Sequence, residues 1–301
     1  MSFADAIAVN SGFTKGIVTK QWPSLAKEKQ LEIVHPCVDV SEKKEQIKGE
    51  ENPLTWQDTN IILSINRFEE KKNIGLAIRA FSRLPKHARS GVRLVVAGGY
   101  DHKVVENVGY HQDLVLLAEG LGLKTATTTN IVTALSVPDD VDVLFLLSVP
   151  ASFKDALMKS ARLLVYTPSN EHFGIVPLEA MLVGTPVLAA NTGGPLETVV
   201  EGETGWLRDP ADVEKWTEVM DKVLHKMTKD ELEKMAEAGK TRVRSEFSED
   251  KMAEVLERMI ERISGTPKKF GQGMAVLSVF LALAPVILLG LCISIWRFYR
   301  R

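Results

Sequence analysis

Three strand-then-helix repeats, short β-branched strands without polar alternation, and turn residues at the strand ends predict an α/β chain built on a parallel, doubly wound sheet. IILSIN (61–66) precedes NIGLAIRAFSRL (73–84), and VRLVVAGG (92–99) precedes HQDLVLLAEGLGL (111–123). RLLVYTP (162–168) precedes FGIVPLEAMLVG (173–184), which runs into a further strand, PVLAAN (186–191). In sheets of this kind ligands sit beyond the carboxyl ends of the strands. Each stretch of chemical interest in this chain lies at one of those ends.

Composition bounds the function. With 301 residues, 45% hydrophobic and 25% charged, the chain supports one large domain or two ordinary ones. Lys plus Arg number 37 against 39 Asp plus Glu, a net charge of -2, so there is no basic field to hold a nucleic-acid backbone. The two cysteines, Cys37 and Cys292, are too far apart to suggest a disulfide framework or a zinc site. The N-terminal MSFADAIAVNSGFTKG lacks the basic and apolar regions of a cleaved signal peptide. Residues 274–296 carry no charge, and as a helix they would span about 34 Å, enough for a bilayer core. They are expected to form a transmembrane segment, with Pro285 marking either a kink or a re-entrant hairpin. Basic residues flank both ends of the run, so charge does not fix its orientation.

Three strand ends carry candidate site residues. In SINRFEEKKN (64–73), Arg67 and Lys72 leave a strand end, where two cations could converge on an anion; a solvated charged turn is the plainer account. In VVAGGYD (95–101), Gly98 and Gly99 permit a tight turn or the close approach of a ligand. No GxGxxG or GxxxxGK[ST] is present, so neither a dinucleotide fingerprint nor a P-loop explains the sheet. In NEHFGIVPLEAMLVGTPVLAANTGGP (170–195), Glu171 falls in the loop and Glu179 about two turns into a helix that starts near Phe173. The N–H groups of Phe173, Gly174 and Ile175 would then face the loop with the positive end of the helix dipole. Pro177 is tolerable only near such a start. Glu171 could instead cap the helix, Glu179 could be an ion-paired surface residue, and His172 suits either acid–base work or packing. Glu197, after the Gly193-Gly194-Pro195 turn, has the place of a structural residue. Together the cations, the helix tip and the carboxylates suit a nucleoside diphosphate whose hydroxyls need carboxylate acceptors.

Glu171 and Glu179 resemble the E-x7-E element of the retaining GT-B glycosyltransferases, and NRFEEKKN resembles the Arg/Lys pair before the first helix of their donor domain. AGGYDHKVVENVGY, LLVYTPSNEHFGIVPLEAM and NTGGPLE are similar to one membrane-bound branch, which extends a dolichol-linked oligosaccharide with mannose. This resemblance covers most of residues 1–265. It implies GDP-mannose as donor, with no metal or other cofactor required, and alpha-1,3 and alpha-1,6 additions to dolichol-diphosphate-linked oligosaccharide in N-glycan precursor assembly. Arg67 and Lys72 would neutralise the diphosphate and the leaving GDP, Glu171 would contact the transferred mannose, and Glu179 would accept from the ribose. The location implied is the endoplasmic reticulum membrane with the donor domain facing the cytosol. Residues 1–40 resemble the last part of the N-terminal acceptor domain and the linker, and 41–265 the nucleotide-sugar-binding domain. The expectation is therefore a chain short of its acceptor domain, inactive alone, or working with a chain that supplies it or with enzymes of the same pathway. Two other readings stay open: a transferase moving N-acetylglucosamine from UDP to phosphatidylinositol, and a non-catalytic GDP-sugar-binding or scaffold fragment.

Overall fold

In the computed structural model of the protein, residues 4–41 and 59–265 are described. The chain divides into two compact units, 1–257 and 258–301, and of the second only 258–265 falls within the described residues. The amino-terminal segment runs β1 (Ile7–Val9), α1 (Gly12–Gln21), α2 (Pro23–Glu28) and β2 (Leu31–Ile33), the two strands pairing in parallel. Ser11 starts α1 as its N-cap, accepting from the Thr14 N–H. Pro23 starts α2, where its missing N–H has no partner to lose.

A second, seven-stranded sheet follows. Its elements are β3 (Asn60–Ile65), α3 (Gly75–Ser82), β4 (Val92–Gly98), α4 (Val105–Gly120), β5 (Thr125–Thr128), α5 (Ile131–Leu135), β6 (Val143–Leu147), α6 (Ala151–Ser160) and β7 (Ala161–Tyr166). Then come α7 (Ile175–Leu182), β8 (Val187–Ala190), α8 (Pro195–Thr198), β9 (Gly205–Arg208), α9 (Val213–Asp221), α10 (Lys229–Glu246) and α11 (Glu249–Gly265). The strand order is β5-β6-β4-β3-β7-β8-β9, every pairing parallel. The doubly wound parallel sheet expected from the repeats is present.

The two faces of the sheet explain the unbroken apolar strands. Ile62, Leu94, Phe145, Leu163 and Leu188 point to one core, against α3, α4 and α9, where Trp216 is fully buried. Their neighbours Leu63, Val95, Leu144, Leu164 and Val187 point to the other, against α6, α7 and α10. Side chains alternate along each strand, so a strand covered by helices on both faces must be apolar at successive positions. Burying each such side chain contributes about 1.5–3 kcal/mol. Within the second layer α10 packs across α7, and Gly239 allows it: a Cβ there would stand 3.2 Å from the Cβ of Met181.

The boundaries differ from expectation at one functional point. β7 ends at Tyr166 rather than near Pro168, and α7 begins at Ile175 rather than near Phe173. Gly174 has φ of 84°, a left-handed conformation that a helix cannot include, and Phe173 is buried beside His35 and Phe247. The N–H groups of Phe173 and Gly174 thus precede the helix, Ile175 opens it, and Glu179 is its fifth residue rather than two turns in. Among the described residues no helix is long and apolar enough to cross a membrane. The expected transmembrane segment at 274–296 lies outside the described residues, as does Cys292.

Candidate functional site

The site forms where β3, β4 and β7 end. β3 and β4 diverge at Asn66, whose N–H still donates to the Ala97 carbonyl at 3.0 Å. The chain then turns through Arg67 to Lys72, and Asn73 closes the turn in the left-handed region, φ 48°. Thr167, fully buried just beyond β7, donates its hydroxyl to the Lys72 carbonyl at 2.8 Å. That bond fixes the backbone of the cationic loop to the strand next door.

Gly98 is required at the end of β4 by closeness rather than by a turn: a Cβ there would meet the Asn66 carbonyl oxygen at 1.9 Å. A cavity of about 270 Å³ opens beside this strand end, lined by Arg67, Lys72, Gly98, Gly99, Lys154 and Tyr166, among others. Four residues singled out in the sequence, Arg67, Lys72, Gly98 and Gly99, therefore do meet. The two cations behave differently. Arg67 is largely exposed, its guanidinium 2.8 Å from Glu69. Lys72 is 13% exposed and its Nζ lies 2.5 Å from Glu171 Oε2.

Glu171 borders the cavity through its two donors, Lys72 and Tyr166, which line it. Besides Lys72 it accepts from the Tyr166 hydroxyl at 3.3 Å. Burial first, then the charge and hydrogen bond of Glu171, push the Tyr166 phenol far above its ordinary value, so it remains a donor. The loop carrying Glu171 is braced from the other side by the Thr-Gly-Gly turn. A Cβ on Gly193 would lie 2.4 Å from the Glu171 carbonyl, and one on Gly194 2.0 Å from that of Phe173. The Gly194 N–H donates to the Glu171 carbonyl at 2.7 Å.

Glu179 is held by a residue that the sequence reading did not single out. Lys154, in the first turn of α6, places its Nζ 2.7 Å from Glu179 Oε1, each side chain near 30% exposed. No local pattern marks Lys154, because the pairing depends on α6 lying beside α7. A larger hollow, about 760 Å³, lies across Glu179 and is lined also by Ile175, Lys159, Lys240 and Arg244. A third, of about 510 Å³ between α3 and α4, contains none of the sequence-predicted residues.

His172 takes part in packing. Its Nδ1 lies 2.8 Å from the Thr14 hydroxyl, and its ring meets Phe13 edge-on. Glu197 is the structural residue expected: its carboxylate accepts from the N–H groups of Gly12 and Phe13 and pairs with His35 Nε2 at 3.0 Å. Burial alone would raise its pKa, but the bonds from Gly12, His35 and Phe13 together hold it below the ordinary value. The carboxylate thus caps the start of α1. Among the described residues no cluster of His, Cys, Asp and Glu could hold a metal ion.

A family model described as "Glycosyl transferases group 1" matches residues 46–242. The chain is similar to the alpha-1,3/1,6-mannosyltransferase alg-2 of Neurospora crassa, 58% identical over 95% of this chain and 62% of that protein. The corresponding enzyme of Schizosaccharomyces pombe is 44% identical over 88% of this chain and 53% of its own length. The chain therefore spans about three fifths of the curated relatives it matches. Among solved structures, a glycosyltransferase from Rickettsia africae superposes with a TM-score of 0.70 at 17% identity, covering 87% of this chain and 64% of that one. Anabaena HepE in complex with UDP and glucose gives 0.66 at 20% identity, over 88% and 64%. At such low identity these two likenesses speak for the fold alone.

Proposed function

The chain belongs to the group 1 glycosyl transferase family, and from that premise we propose that it binds a nucleoside diphosphate sugar as the donor half of a mannosyltransferase. The donor we infer is GDP-mannose and the acceptor a dolichol-diphosphate-linked oligosaccharide, extended through alpha-1,3 and alpha-1,6 linkages. The relatives named alpha-1,3/1,6-mannosyltransferase support the sugar and the linkages. The observation that carries the reading is the Lys72–Glu171 pair beside the cavity that Arg67, Gly98 and Gly99 also line.

The chemistry follows from those positions. Arg67 and Lys72 stabilise the negative charge that grows on the departing diphosphate. Glu171, held by Lys72 and Tyr166, offers acceptor oxygens to the hydroxyls of the transferred sugar. Glu179, eight residues on, serves the ribose. On this division residues 41–265 form the donor domain, residues 1–40 begin the opposite wall of the cleft, and 274–296 anchor the chain in the endoplasmic reticulum membrane with the donor domain in the cytosol.

Calorimetry with the full 301-residue chain in mild detergent tests the donor. GDP should bind and UDP should compete poorly. Preference for UDP would favour a UDP-sugar enzyme instead, and binding of neither would remove the donor-site reading. Carbonate washing of membranes tests the anchor: the chain should stay in the pellet, and its release to the supernatant would count against residues 274–296 as a span.

A further inference from the structure

The cavity that holds Arg67 and Lys72 does not reach Glu179 directly. Glu179 lines the larger hollow, Lys154 lines the cavity, and the Lys154–Glu179 pair stands on the partition between them. A ligand with its phosphates at Lys72 and its ribose at Glu179 must therefore pass the Lys154 ammonium. An ion pair this exposed adds little to the stability of a fold. Lys154 has three N–H donors, of which Glu179 Oε1 takes one, at 2.7 Å. A hydroxyl both donates and accepts, so a carboxylate and an ammonium side by side match it from both directions.

We propose that Lys154 is a positioning and specificity residue of the donor site, which orients Glu179 and donates to a ribose hydroxyl of a nucleoside diphosphate; this rests on the donor-site reading above. The diphosphate itself stays with Arg67 and Lys72. Discrimination between ribose and deoxyribose therefore depends on Lys154, while affinity for bare pyrophosphate depends on it far less than on Arg67 and Lys72.

The experiment titrates the full chain and its Lys154→Met, Lys154→Gln and Lys154→Arg variants with GDP, 2′-deoxy-GDP and inorganic pyrophosphate, with circular-dichroism melting as the control. The unaltered chain should prefer GDP over its 2′-deoxy form by about tenfold, the value of one charge-assisted bond. Met and Gln at 154 should lose most of that preference and about tenfold in GDP affinity, Arg should restore part, and pyrophosphate should lose much less than GDP in every variant. Retained preference in the Met and Gln variants would overturn the assignment. So would an equal loss for pyrophosphate, or melting of both neutral variants below assay temperature, which would make the role structural. If the unaltered chain bound neither GDP nor pyrophosphate, the donor-site reading would fall first and take this one with it.

Discussion

Lys72 carries the sharpest test at the scale of one side chain. It is mostly buried and bonded to Glu171, so on the proposed reading Lys72→Ala removes a charge-assisted contact to the donor and leaves Glu171 only the Tyr166 hydroxyl. GDP affinity should fall by about 1.5–3 kcal/mol, roughly ten- to a hundred-and-fiftyfold, by calorimetry. An unchanged dissociation constant would sink the assignment. Gly194 tests the brace behind Glu171. A Cβ 2.0 Å from a backbone carbonyl cannot be relieved by a rotamer change, so Gly194→Ala should lower the melting temperature by several degrees, about 1–3 kcal/mol. A variant that melts with the unaltered chain would show that the loop yields. Glu197 gives a pH signature. Its folded pKa lies below the ordinary 4.5, so the stability it contributes is present above that value and drains as pH falls through the lower, folded one. The melting gap between the unaltered chain and Glu197→Gln should be open at about pH 6 and narrow by about pH 3. A gap independent of pH would mean that the carboxylate's charge is irrelevant to the cap.

Among the elements, α7 matters most, because it carries Glu179 and is backed by α10 at Gly239. Gly239→Leu should overpack that crossing by about 1–3 kcal/mol and weaken GDP binding by displacing α7. Lower stability with undiminished GDP affinity would show that Glu179 tolerates the shift. Much of this layer was legible in the sequence. β3, β4, β7 and β8 are apolar runs bounded by turn residues, and each falls within two residues of its expected place. β5, β6 and β9 were not singled out. TATT is a polar edge strand, the unbroken apolar run VLFLL has no period to separate strand from helix, and GWLR is only four residues long. The start of α7 was misplaced because glycine's backbone freedom does not announce which way it will be used. The cations and carboxylates of the site were visible as types at strand ends. Their pairing was not, since Lys72 with Glu171 and Lys154 with Glu179 depend on which strands and helices become neighbours.

For the whole molecule, on the proposed reading, residues 59–265 supply one wall of a cleft: two cations for the phosphates, two carboxylates and the loops that hold them. Transfer needs donor and acceptor held at about 3–3.5 Å in line, and that alignment is worth roughly 7–11 kcal/mol of barrier. If the chain acts as the donor half proposed above, it should bind GDP-mannose alone without extending a synthetic lipid-linked acceptor, and transfer should appear when the part of the relatives' length that it does not span is added. Robust elongation by the chain alone would show that one wall suffices. The strand order bears on how the protein comes into being. β3 at the centre pairs with β7, and Lys72 meets its carboxylate 99 residues downstream, so the site is made of contacts that close late and at high entropic expense. During synthesis the cationic loop leaves the ribosome long before Glu171 does, and the Lys72–Glu171 pair cannot form until β7 and the following loop have emerged. On the proposed reading donor binding would report completed folding, and a nucleotide present during refolding would stabilise the finished sheet while leaving its precursors unassisted.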